Sequence, residues 1–217
     1  ADTQHPFAIR KSLPANDFFR INNNLTKRQL SLQKLSTVLG WGYRSEASSD
    51  TKELERFDFF KAKIINYQFN EIVNESGDFH LFDLSYSEGA FISKDNIVSS
   101  FLLINLKFDI PVFILDRENL LGGINENTVY KDLDFPKHPD FSKRFFLGGK
   151  KASEIRGLFD SKLIFFFESH AYFRVESIGK SLLIKGKNRL SSIQEIKQLL
   201  AFSTELMSII NNKYLDK

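Results

Sequence analysis

The chain has no cysteine, which excludes disulfides, thiolate metal sites and cysteine nucleophiles. It also lacks long apolar runs: the strongest, residues 101–104 and 163–167, fall far short of the roughly 20 residues that cross a bilayer as a helix. Histidine is scarce, and His5, His80, His138 and His170 are too dispersed for the paired-ligand spacing of a zinc site. No serine sits in a GxSxG elbow and no GxxxxGK[ST] loop is present, so serine-hydrolase and nucleotide-loop chemistry both lack their usual frame. No cofactor is expected. Residues 1–6 lack the charged start and apolar stretch of a signal peptide, and the absence of an initiator Met points to a fragment or a processed product.

What the chain has in surplus is phenylalanine. Its 23 Phe, against one Trp and one Met, predict a core filled by rigid rings that each bury about 150–250 Å². At 42% apolar and 26% charged residues the composition is globular, and 217 residues suit one well-buried domain. Such an aromatic surplus also fits a lipid- or ring-binding cavity, so an apolar-ligand carrier stays open as an alternative. Charge is unevenly placed. Residues 1–44 carry seven Lys or Arg against two Asp, a balance of +5, which leaves −2 for the rest of the +3 chain.

Residues 1–25, with Pro6, Pro14 and the INNN run, show no sustained period and read as an irregular basic arm or linker ahead of a single α+β domain at 26–217. Leu32, Leu35, Val38 and Leu39 then repeat at helical spacing up to Gly40, where a glycine cap belongs, and Trp41 and Tyr43 dock on the core. Ile65, Tyr67, Phe69 and Val73 predict one face of a strand. After a turn at Gly77, His80, Phe82, Leu84 and Tyr86 share one face and Phe79 and Leu81 the other, the pattern of a central strand. Residues 98–108 and 110–115 are further strands, too close for an intervening helix, so antiparallel neighbours are expected, with Pro111 at an edge or a strand start. Residues 122–127 read as a loop.

Beyond Pro139 the pattern predicts a strand at 143–147, a turn at Gly148 and Gly149, and a helix with Ile155, Leu158 and Phe159 inward. A second helix, capped by Asp160, buries Leu163, Phe166 and Phe167. Residues 173–178 and 182–185 read as a hairpin joined across Gly179. Ser192 and Glu195 stand at capping-box spacing at the head of a long amphipathic helix carrying Ile196, Leu199, Leu206 and Ile210 on one face. The expected fold class is α+β, an antiparallel β-sheet packed by helices that include this C-terminal one.

Several motifs carry a resemblance. LGWGY at 39–43, FDFFKAKIINYQF at 57–69 and FDLSY at 82–86 are followed by Pro139, Phe141, Phe145, Leu147, Gly149, Ile155, Arg156, Leu158, Phe159, Leu163, Phe166, Phe167 and Glu168 in the order PxFxxxFxLxGxxxxxIRxLFxxxLxxFFE. Over roughly residues 30–212 the chain resembles a family of bacterial membrane-anchored proteins that share a domain of unassigned function. Leu84 departs from it, standing where the FDYxY-like strand has an aromatic. The resemblance implies a bacterial protein whose full-length form sits at the cytoplasmic face of the inner membrane, and it carries over no catalytic residue.

Candidate chemistry is sparse. Asp132, Asp134, His138 and Asp140 form an acidic-histidine cluster suited to general acid/base work, against which stands a solvated loop whose Asp and Pro set turns. Lys150 and Lys151 in GGKKAS flank a helix start that suits an anion, or else a plain strand-to-helix connection. Lys185, Lys187 and Arg189 are a weak nucleic-acid signal without a recognition motif, and nucleic acid is not expected as a partner. Arg10, Lys11, Arg20, Lys27 and Arg28 attract an anionic membrane surface at about 1 kcal/mol per charge, or serve as a solubilising linker. The leading expectation is a non-catalytic domain that meets a protein partner or lipid; the alternatives are a hydrolase-type enzyme using the acidic-histidine cluster and the apolar-ligand carrier.

Overall fold

The computed structural model describes residues 15–46, 51–88, 95–118 and 130–215, with side chains from residue 27 onward. Helix α1 (Ala15–Leu39) ends at Gly40, whose φ of +69° is the left-handed cap the glycine was expected to supply. Edge strand β1 (Gly42–Glu46), the single turn α2 (Lys52–Glu55) and a 3-10 turn at Asp58–Phe60 follow. Strands β2 (Ile64–Val73), β3 (Phe79–Glu88), β4 (Asp95–Ile110) and β5 (Phe113–Arg117) come next. The chain continues through α3 (Pro139–Arg144), β6 (Phe145–Gly149), α4 (Ala152–Leu158), α5 (Ser161–Ser169), β7 (Arg174–Lys185) and α6 (Ile193–Tyr214). The fold is α+β, and every strand pair among the described residues is antiparallel, in the order β1-β2-β3-β4-β7-β5-β6.

Strand alternation sends apolar side chains to both faces of this sheet. Leu81, Leu102, Ile104, Leu182 and Ile184 point to one face, where α1, α3, α4, α5 and α6 build a continuous core. Phe82, Leu84, Tyr86, Phe101, Leu103 and Leu183 point to the other, where Leu54, Phe57 and Phe60 supply the cover from one short segment. Among the described residues the two faces are thus sealed unequally, by helices on one side and by residues 54–60 on the other.

The C-terminal helix forms as its sequence dictates. Ser192 Oγ accepts from the Glu195 N–H and the Glu195 carboxylate accepts from the Ser192 N–H, closing the capping box. Ile196, Leu199, Leu206 and Ile210 are buried, each worth about 1.5–3 kcal/mol on removal from water. Asp160 likewise caps α5, accepting from the Leu163 N–H at 3.0 Å.

Several expectations are corrected. Helix α1 starts at Ala15, so residues 15–25 of the supposed irregular arm are helical, and Val38 is 80% exposed while Leu32 and Leu35 are buried. Residues 143–144 close helix α3 instead of opening a strand, since Pro139 in the first turn starts the helix and the chain extends only at Phe145. Residues 173–185 are no hairpin. Gly179 takes φ +59° inside one continuous strand, and it marks where β7 changes partner, from β5 at Val175 and Glu176 to β4 at residues 181–185. Strands β4 and β5 therefore pair with successive halves of β7, not with each other. The period of two in β2 breaks at Asn70, with φ +56°, where a bulge sets two residues against one of β3 and turns Ile72, not Val73, into the core. The loop at 122–127 lies outside the described residues.

Candidate functional site

The residues singled out in the sequence separate in the structure. Asp132 is half-buried and its Oδ1 accepts from the N–H groups of Leu133 and Leu147, both at 2.9 Å, which ties the incoming chain to β6. Burial pushes its carboxyl above the ordinary range against the pull of those two N–H groups. Asp134 lies close enough to add to that rise, and its backbone carbonyl accepts from Arg156 at 2.7 Å. His138 faces elsewhere: its Nε2 lies 3.1 Å from Ser161 Oγ, and Asp140 is exposed in the first turn of α3. Glu118, which no motif marks, is the acid that joins Asp132 and Asp134, and burial raises its carboxyl first, then their two charges. Among the described residues no group of three or more His, Cys, Asp or Glu is placed to hold a metal ion.

The basic residues separate as well. Arg10 and Lys11 lie outside the described residues; Arg20 belongs to α1, and Lys27 is exposed on it. Arg28 departs from the membrane-facing expectation. Its guanidinium turns inward onto Asp83 at 2.5 and 2.7 Å, and also reaches Ser100 Oγ and the Ser191 carbonyl. Asp83 accepts further from Ser100 Oγ and Asn70 Nδ2, so one buried network fastens α1 to three strands and to the head of α6. The Asp of the FDLSY motif has that structural task. Lys187 and Arg189 both pair with Glu195.

A second charged network, invisible in the sequence, occupies the thinly covered face. Arg174, Glu176 and Lys185 alternate off β7 onto this side with only 8%, 2% and 4% of their surface exposed. Arg174 Nε donates to Glu176 Oε1 at 2.7 Å, Arg174 also pairs with Asp116, and the Tyr172 hydroxyl donates to Asp116 as well. Glu176 Oε2 accepts the Phe59 N–H at 3.2 Å, which binds the covering segment to the sheet. The Phe59 ring draws three cations, with Lys63 Nζ, Lys185 Nζ and Arg174 Cζ at 4.4, 5.1 and 5.3 Å from its centroid. Burial, with Arg174 nearby, holds the Lys185 ammonium down to about 8, while its Nζ donates to Asn188. Tyr86 and Ser99, fully buried on opposite strands, approach each other without closing a hydrogen bond, and burial pushes the Tyr86 phenol up to about 12.

Lys150 and Lys151 part company too. Lys151 pairs with Glu154 at 2.7 Å at the head of α4, whereas Lys150, its N–H on the Val112 carbonyl, turns toward the 3-10 turn and lines a hollow beside Glu176. The glycines before them permit this. A Cβ on Gly149 would collide with the Val112 carbonyl and the Phe113 backbone, and one on Gly148 would meet the Tyr130 Cβ at 2.9 Å.

No protein-family model and no curated protein matches the chain. Its fold is similar to that in the crystal structure of the mycobacterial trehalose monomycolate transport factor A, TtfA. The two share a TM-score of 0.59 at 13% identity, with 86% of this chain and 96% of that chain covered. The likeness is one of fold. Among the described residues no helix is long and apolar enough to cross a membrane.

Proposed function

We propose that the chain is a non-catalytic domain that acts by contact with lipid or a protein partner, held at the cytoplasmic face of a bacterial inner membrane in its full-length form. The observation that carries this reading is how the candidate reactive groups are used. Asp132 bonds backbone N–H groups, His138 meets Ser161, His80 lies between Glu71 and the Gly77 carbonyl, and Arg174 closes on two acids. Groups so engaged hold the fold together. The shared fold with a protein named for trehalose monomycolate transport supports a role in lipid handling, and the basic residues ahead of the core support an anionic surface as one contact.

The test is co-sedimentation with liposomes of neutral lipid alone or with anionic lipid added, comparing the full chain with a variant lacking residues 1–14, which keeps Arg28 and α1. Binding that needs anionic lipid and falls on truncation is the expected result. Equal binding by both forms removes residues 1–14 from the lipid role, and no binding by either leaves a protein partner as the contact. A carrier reading has its own observation, an open hollow of about 650 Å³ between α4, the end of α6 and the β4–β5 link, where Ile110, Pro111, Leu158 and Tyr214 stand beside the charged Asp109, Glu154, Asp160 and Lys213. Native mass spectrometry of freshly purified protein tests it by the presence of a co-purified lipid.

A further inference from the structure

Between the covering segment and the β5–β7 pair lies a separate hollow of about 200 Å³, floored by Ile114 and Ser177. We infer that it is a phosphate-binding site held by the side chains of Arg56 and Lys150 with Tyr130. The charge count favours an anion. Asp58 and Glu176 also line the hollow, but Asp58 is paired with Lys61 and both Glu176 oxygens are taken, by Arg174 and by the Phe59 N–H. Arg56 and Lys150 have no acid partner among the described residues, so two cations remain unspent at the rim.

The site is also positioned from several directions. Arg56 and Lys61 flank the 3-10 turn that the Phe59 N–H anchors to Glu176; Lys150 is fixed by its backbone bond to Val112; Tyr130 enters over Gly148, where any side chain would bar it. Burial raises the Tyr130 phenol, and the charge of Asp58 adds to this, which keeps it a hydrogen-bond donor. A guanidinium, an ammonium and a phenol that line one hollow from three chain segments offer donors to several oxygens of a single oxyanion. A lipid headgroup phosphate and free phosphate share this chemistry; the headgroup case rests on the contact reading above, the free-phosphate case does not.

The experiment titrates inorganic phosphate into the full chain at low salt, followed by amide chemical shifts, for wild type, the double variant Arg56→Gln/Lys150→Gln and the charge-keeping Arg56→Lys/Lys150→Arg. Saturable binding is expected, weakened about tenfold or more in the Gln variant and largely kept in the charge-keeping one. These side chains are exposed, so an unchanged thermal midpoint certifies the fold. No saturable binding by wild type, or equal affinity in the Gln variant, overturns the site. Vesicles containing phosphatidic acid form the second arm. Competition with phosphate assigns a headgroup, while phosphate binding that vesicles leave untouched supports the site with free phosphate as its ligand and counts against the lipid reading. Vesicle binding equal in all variants, without phosphate binding, sinks the site and leaves the contact reading standing.

Discussion

Each face of the sheet holds an arginine in a network of acids, half-buried on one face and buried on the other, and the two are built differently. On the helix-covered face Arg28 arrives from α1 and meets Asp83, 55 residues away, so the ion pair joins two elements that nothing local would bring together. On the thinly covered face Arg174 meets Glu176 two positions along its own strand, with Asp116 across from it. The first arrangement fastens a layer; the second keeps charge beneath a cover of a few residues. Hydrogen bonding follows the same division. Asp83 is fully engaged on the first face, whereas on the second the buried Tyr86 and Ser99 hydroxyls close no hydrogen bond among the described residues.

The contrast is sharpest at Asp83. Asp83→Ala leaves the Arg28 guanidinium half-buried without its partner, and a loss of about 3–5 kcal/mol is expected in urea unfolding. A loss under about 1 kcal/mol would erase the distinction between the faces. Gly149→Ala comes next, because the added Cβ meets the Val112 and Phe113 backbone where β5 pairs with β6. A cost of about 1–3 kcal/mol is expected by the same measurement.

On the thin face the sign should reverse. Lys185→Met removes an ammonium that burial disfavours, so it is expected to be neutral or to stabilise by about 1 kcal/mol at neutral pH. The wild type carries the matching pH signature. The lysine is deprotonated near pH 8 when folded but only near 10.5 when unfolded, so the unfolded state binds more protons across that window and stability rises with pH. The difference between wild type and Lys185→Met in urea midpoint against pH isolates this rise; a flat difference would refute the burial of charge. The smallest effect belongs to His80, whose two ring nitrogens lie 2.8 Å from Glu71 Oε1 and the Gly77 carbonyl. Its pKa is raised, chiefly by the bond to Glu71, so its contribution is whole below about pH 6.5 and fades as pH climbs through the folded value. His80→Gln should flatten that slope, read from thermal midpoints across the same range.

Legibility followed the range of the interactions. The capping box of α6, the Asp160 cap and the Gly40 stop are local and were readable, as was the double-sided β3. Gly179 misled because a glycine between two extended runs normally signals a turn, while here it bends one strand between two partners. Arg28 looked like a free surface cation, since an ion pair across 55 residues leaves no periodic trace. Arg174 and Glu176 were hidden for a different reason: RVES alternates like any half-exposed strand, and its polar side is buried by contacts with Phe59 and Asp116 that lie far off in the chain. Lys150 was flagged by its glycines, although its companions Arg56 and Lys61 lie about ninety positions upstream and had no reason to be grouped with it.

The clasp at Arg28 also has a mechanical meaning. Helix α1 continues upstream of it to Ala15, and from Arg28 the bonds pass to β3, β4 and the start of α6. Tension applied to the chain ahead of the domain would therefore load the middle of the sheet in shear, through several bonds at once, instead of unzipping the outermost strand one rung at a time.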